Sequence, residues 1–74
     1  MKSKEYFLEC CESAVHKYFS TEDTDERAYA AFTIDIMTDI LEPEEIPLHL
    51  MLKMHHVLFD ALITEYENRE LVLE

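Results

Sequence analysis

Three side chains in the last third of the sequence could ligate a metal ion: His49, His56 and Asp60. On a helix, His56 and Asp60 lie four residues apart on one side, so both can contact the same ion. His49 lies two turns earlier, about 10 Å away, which is too far for that ion. A metal site would need further ligands from residues 42–45 or from a second subunit. The alternative is a solvated polar stripe, and we predict no bound metal and no cofactor.

The adjacent thiols of Cys10 and Cys11 could sense redox state or capture a soft metal. On a helix, neighbouring side chains diverge by about 100°, so the two thiols cannot close an ordinary disulfide. A free, buried cysteine otherwise packs as a small apolar side chain. The sequence has no nucleophile elbow, and three short helices enclose little concave volume. We therefore predict no catalytic residues and no enzymatic activity.

The charge of the chain is strongly negative: 17 Asp and Glu stand against 6 Lys and Arg, a formal net charge of −11. Such a field repels nucleic acid and anionic membrane surfaces, and it attracts basic proteins or keeps a small apolar protein soluble. The predicted acidic surface lies at the two turns and on one helix face between them, and comprises Glu22, Asp23, Asp25, Glu26, Asp35, Asp39, Glu42, Glu44 and Glu45.

The composition predicts a folded, all-α protein. Apolar residues make up 49% of the chain, too many for a disordered segment, and the chain has no Gly and 2 Pro. A sheet joined by tight turns would normally need Gly at positions of positive φ. The N-terminal sequence lacks the apolar core of a signal peptide, and no apolar run is long enough to span a membrane. We expect a single domain, residues 1–74, in the cytoplasm.

The periodicity predicts three helices, at about residues 4–19, 24–42 and 47–70, in an antiparallel arrangement with a long C-terminal helix. Ser3 could cap the first helix, and Asp23 with Glu26 resembles a capping box for the second. Pro43 predicts the end of the second helix, and Pro47 suits the first position of the third.

The third helix has two apolar stripes on nearly opposite sides. The broad stripe comprises Leu48, Met51, Leu52, His55, Leu58, Phe59, Leu62, Ile63 and Tyr66. The narrow stripe comprises Leu50, Met54, Val57 and Ala61. We expect the broad stripe to pack on the first two helices, with His55 in the core. The narrow stripe, together with Ile34 and Leu41 of the second helix, is the predicted interface of a homodimer.

These observations favour a small acidic protein-interaction module, a homodimer that binds another protein with a basic surface. Its role would be that of an inhibitor, an antitoxin-like partner or an adaptor, and its target could be a basic nucleic-acid-binding protein. One alternative is an accessory or structural subunit of a larger complex, with no inhibitory role. Another is a metal- or redox-responsive sensor that uses His56, Asp60 or the cysteines.

Overall fold

The computed structural model describes the backbone of residues 3–73 and the side chains of residues 3–69. In this range the chain forms three α-helices: α1 (Lys4–Ser20), α2 (Thr24–Ile40) and α3 (Leu48–Leu73). A short 3-10 turn, Pro43–Glu45, lies between α2 and α3. The described residues include no strand, which confirms the predicted all-α class and the long C-terminal helix.

Side-chain caps fix where α1 and α2 begin. The Ser3 hydroxyl accepts a hydrogen bond from the Tyr6 amide at 3.3 Å. The Asp23 carboxylate accepts from the amides of Asp25 and Glu26 at 2.8 and 3.4 Å. Both caps satisfy amides that have no partner inside their helix. The predicted capping box is only half formed, since the Glu26 carboxylate instead accepts from the Thr21 hydroxyl at 2.6 Å.

The connection between α2 and α3 is set by its two prolines. α2 ends at Ile40, two residues before the predicted end, because Glu42 precedes Pro43 and adopts an extended conformation (φ −75°, ψ 145°). Pro47 stands just before α3, and its carbonyl accepts the Met51 amide at 2.9 Å. Leu41 and Ile46, which flank this connection, are both buried, so the turn is anchored on the core at each end.

The core is small and apolar. The buried side chains are Cys11, Ala14, Val15, Tyr18, Ala30, Ala31, Ile34, Leu41, Ile46, Leu50, Met54 and Val57. No charged side chain is buried among the described residues. The helical periodicity of α1 predicts an inward face from Phe7 to Tyr18, and that face does pack inward. The periodicity of α2 predicts a main inward face that includes Tyr29 and Phe32, but these side chains are 73% and 61% exposed, and the alanines of α2 are buried instead.

Contrary to our prediction, the narrow stripe of α3 is buried and the broad stripe is exposed. Leu50, Met54 and Val57 of the narrow stripe are 2%, 0% and 0% exposed, and Ala61 is half buried. Ile34 and Leu41, predicted with them at a dimer interface, also lie in the core of the chain. All six residues belong to the core cluster that the three helices share, or pack against it.

α3 extends well beyond the other two helices. It has 26 residues against 17 in each of α1 and α2, and the molecule measures 46 × 23 × 22 Å. Asp60 lies level with the end of α1, where it bonds to Tyr18. Every described side chain of α3 after Ala61 is exposed. No helix in the described part of the chain is both long enough and apolar enough to cross a membrane.

Candidate protein-interaction surface

The broad stripe of α3 is the largest apolar feature that the core leaves uncovered. Leu48, Leu52, Phe59, Leu62 and Tyr66 are each more than half exposed, and Phe59 is 65% exposed. His55 is also exposed, which corrects its predicted place in the core. Met51 and Leu58, at the edge of the stripe toward the core, are half buried. An exposed apolar band of this length on a monomer is typical of a surface that binds another protein.

The exposed residues of the broad stripe follow the spacing of a helix-pairing interface. Leu48, Leu52, His55, Phe59, Leu62 and Tyr66 are separated alternately by four and three residues. This is the heptad pattern whose side chains pack between those of a facing helix. In the heptad, Leu52, Phe59 and Tyr66 take the a positions and Leu48, His55 and Leu62 the d positions. The stripe can therefore accept a second helix along about 27 Å of its length.

The chain has a larger surface area than its mass predicts. The chain exposes 5823 Å² at a mass of 8.8 kDa. A typical monomer of that mass exposes about 4,800 Å². The excess of about 1,000 Å² accompanies the elongated shape of the molecule, 46 × 23 × 22 Å. Part of this excess comes from the overhanging end of α3, which carries Leu62 and Tyr66.

Negative charge is absent from the first half of this surface. The segment from Leu48 to Phe59 contains no Asp or Glu, but it contains Lys53 and three His residues. Most of the acidic side chains lie instead on the other helices and on the turns. A chain with a formal net charge of −11 repels a second copy of itself. The start of α3 is where that repulsion is weakest.

A second exposed apolar face lies on α2 and is flanked by acids. Tyr29, Phe32, Ile36 and Ile40 fall on one side of the helix and are between 39% and 73% exposed. Asp35 and Asp39 flank this α2 face, and Asp25 lies one turn before its first residue; all three are exposed. A partner that carries apolar side chains beside Lys or Arg would match it in both polarity and charge.

The predicted acidic surface is solvent-exposed throughout, apart from the half-buried Glu45. Its members at residues 22–26 and 42–45 occupy opposite ends of α2. Among the described residues one ion pair forms, between Arg69 and Glu65 at 3.2 Å, and it lies on α3. Within residues 3–69 the carboxylates at the two turns therefore have no cationic partner. The Asp23 carboxylate caps α2, and the Glu45 carboxylate accepts from the Glu42 amide at the 3-10 turn.

The candidate metal ligands are held by other contacts where α1 meets α3. The Tyr18 hydroxyl donates a 2.5 Å hydrogen bond to the Asp60 carboxylate. The ring of His56 packs edge-on against Phe19, with 5.4 Å between ring centroids. Within the described residues no group of three or more His, Cys, Asp or Glu is arranged to hold a metal ion. The contacts at His56 and Asp60 thus join two helices.

The two cysteines differ in exposure. Cys11 is fully buried and Cys10 is half buried. Burial raises the pKa of the Cys11 thiol, and the neighbouring Cys10 and Glu12 raise it further. Because the thiolate is the reactive form, Cys11 is protected both by its low accessibility and by its raised pKa.

We expect Ellman's reagent at pH 8 to modify Cys10 at least about tenfold faster than Cys11, whose reaction requires local opening of the helices. A Cys10→Ser variant should retain only the slow phase, and urea should make that phase fast. Equal rates for the two thiols in the folded protein would contradict the burial of Cys11.

Comparison of the chain with models of protein families, with curated proteins and with solved structures finds no match. The surface of the chain is therefore what indicates its function. Sequence reasoning identified both stripes of α3 but missed that the broad one is the exposed one. The length of the broad stripe was one signal of its exposure. It runs from Leu48 to Tyr66, and two helices of 17 residues each cannot cover all of it when α3 extends past their ends.

Proposed function

We propose that this protein is a small protein-interaction module that forms a homodimer through the broad stripe of α3 and presents an acidic surface to a further protein. The observation that carries the proposal is the exposed row of apolar side chains at heptad spacing, with Phe59 at its middle. A row of this kind loses contact with water when a second helix packs on it, which favours association.

A second copy is the occupant that the charge distribution favours for the broad stripe. The segment Leu48–Phe59 is free of acids and carries Lys53. The rest of the chain is dominated by carboxylates, so two copies meet with least repulsion on this side.

The α2 face supports the contact with a further protein. Its apolar centre, around Phe32 and Ile36, is flanked by Asp35 and Asp39. Opposite charges around an apolar centre speed association and select partners. The fitting partner is a basic protein, as a nucleic-acid-binding protein would be, and the role is that of an inhibitor or adaptor.

The test of the dimer is the solution mass, measured by light scattering over a range of micromolar concentrations. We expect about twice 8.8 kDa for the wild type. Phe59→Glu should give a monomer with unchanged helix content, because it replaces a large apolar side chain near the centre of the contact with a carboxylate that would lose its water in the dimer, and this should weaken association by about 100-fold or more. Thr64→Glu is the matched control, since Thr64 is exposed on the opposite side of the same helix.

The control variant should keep the mass of the wild type. A wild-type protein that stays monomeric over the whole concentration range would overturn the dimer, and so would a Phe59→Glu variant that associates as strongly as the wild type. A monomer would leave the broad stripe open to a different protein, as in an accessory subunit of a larger complex.

The contact through α2 is tested by affinity capture with charge-reversed variants. An immobilised variant with Asp35→Lys and Asp39→Lys should fail to bind basic proteins that the immobilised wild type binds. Added salt should elute those proteins from the wild type. Glu9→Lys combined with Glu12→Lys makes the same change of charge on an exposed part of α1, and it should keep them. Equal capture by both variants would contradict the assignment of the contact to α2.

A further inference from the structure

We propose that the two copies pair their α3 helices in antiparallel orientation, with Leu48 of each copy beside Tyr66 of the other. This inference rests on the proposed dimer and adds its geometry. In this register the central pair is His55 of one copy and Phe59 of the other, and Leu52 lies beside Leu62.

The register follows from the positions of the apolar residues. In antiparallel pairs of helices, a positions of one helix pack against d positions of the other. The stripe has three of each, and one antiparallel register matches all of them at once: 48 with 66, 52 with 62, and 55 with 59. Shifting the register by one heptad leaves an end residue such as Leu48 or Tyr66 without a counterpart. In a parallel pair, His55 of one copy would instead pack against His55 of the other.

The charges beside the stripe favour the same orientation. The first half of α3, residues 48–59, carries Lys53 and no acid, whereas residues 60–69 carry Asp60, Glu65 and Glu67 against the single Arg69. An antiparallel pair brings the basic half of one helix against the acidic half of the other, which is attractive. A parallel pair aligns the acidic halves with each other, which is repulsive.

The exposed C-terminal part of α3 is also buried in part by this arrangement. The side chains from Leu62 to Arg69 extend past the α1–α2 hairpin and are exposed in the single chain. In the antiparallel pair they lie along the start of the other copy's α3, whose broad stripe is equally exposed at Leu48 and Leu52. The narrow stripes face away from the contact, so each copy keeps its own core.

Disulfide trapping distinguishes the two orientations. Leu48→Cys and Tyr66→Cys are introduced separately into a Cys10→Ser background, with the buried Cys11 left in place. In the antiparallel dimer, the two copies of position 48 are about 27 Å apart along the helix, far beyond the ~7 Å limit between the Cα atoms of a disulfide. In a glutathione redox buffer each variant alone should therefore form little covalent dimer.

An equimolar mixture of the two variants should form the covalent heterodimer in at least about tenfold higher yield than either variant alone. Covalent homodimers of each single variant, in place of the heterodimer, would overturn the antiparallel orientation while leaving the proposed dimer intact. A monomeric mass together with no covalent dimer in any sample would overturn both. The Cys10→Ser protein without an added cysteine measures any contribution of Cys11.

A distance measurement gives a second readout that does not depend on disulfide geometry. A spin label at Arg69→Cys in the same background should lie about 36 Å from its copy in the antiparallel dimer. In a parallel dimer the two labels would lie under about 20 Å apart, since paired helices are separated by 8–10 Å. A short distance would therefore overturn the antiparallel orientation.

Discussion

Met54→Asp should unfold the chain. Met54 is 0% exposed and belongs to the core shared by the three helices. No charged side chain is buried among the described residues, so the new carboxylate would have no cationic partner there. An unpaired buried charge costs several kcal/mol. A domain of this size has roughly 5–15 kcal/mol of stability in total, and the small core places this chain toward the lower end.

Far-UV circular dichroism at 25 °C measures this effect as a loss of most of the helical signal. The milder Met54→Ala should remain folded and lose about 2–5 kcal/mol in urea unfolding, the usual cost of a cavity in a core. Thr64→Asp is the matched control and should unfold like the wild type, because Thr64 is exposed on the same helix. A Met54→Asp protein with the helical signal of the wild type would show that the narrow stripe does not form the core.

Tyr18→Phe should make the fold less sensitive to alkaline pH. Tyr18 is 4% exposed and donates its hydroxyl hydrogen to Asp60. Burial, followed by the hydrogen bond to Asp60 and the charge of Asp60, raises the pKa of Tyr18 to about 12 from an ordinary value of 10.0. The folded chain therefore holds this proton more tightly than the unfolded chain does.

The sign of the effect follows from that difference. Below pH 10 the tyrosine is protonated in both states, and its full contribution to stability is present. Between about pH 10 and pH 12 the unfolded chain loses the proton first, so stability falls as the pH rises. At pH 11.5 this loss amounts to about 2 kcal/mol. Cys11 adds a loss of the same sign that starts at lower pH, since its pKa is also raised.

Urea unfolding at pH 8 and at pH 11.5 tests this prediction at one fixed protein concentration. The wild type should lose about 2 kcal/mol more than Tyr18→Phe between the two pH values. The contributions of Cys11 and of the other titrating groups are common to both proteins and cancel in the comparison. At pH 8 the variant should be about 1–2 kcal/mol less stable because the hydrogen bond is gone. Equal losses in the two proteins would contradict the burial of the Tyr18 hydroxyl.

The sequence by itself determined where the helices lie, because those signals act over a few residues. Ser3 and Asp23 cap helix starts through hydrogen bonds to amides two or three positions later. Pro43 disfavours helical geometry in the residue before it through a local steric clash. The inward face of α1 was also determined, because α1 has a single apolar face.

Only the tertiary structure decided which side of α3 is buried. Both stripes are apolar and both have helical spacing, so periodicity cannot rank them. The narrow stripe forms the core: Val57 and Met54 lie in one buried cluster with small residues such as Ala30 and Ala31, a set of side chains that fills the space between the helices. The narrow stripe also ends at Ala61, near the level at which α1 ends, whereas the broad stripe continues along the overhang. Length and close packing are properties of the assembled helices, and they leave the broad stripe on the surface.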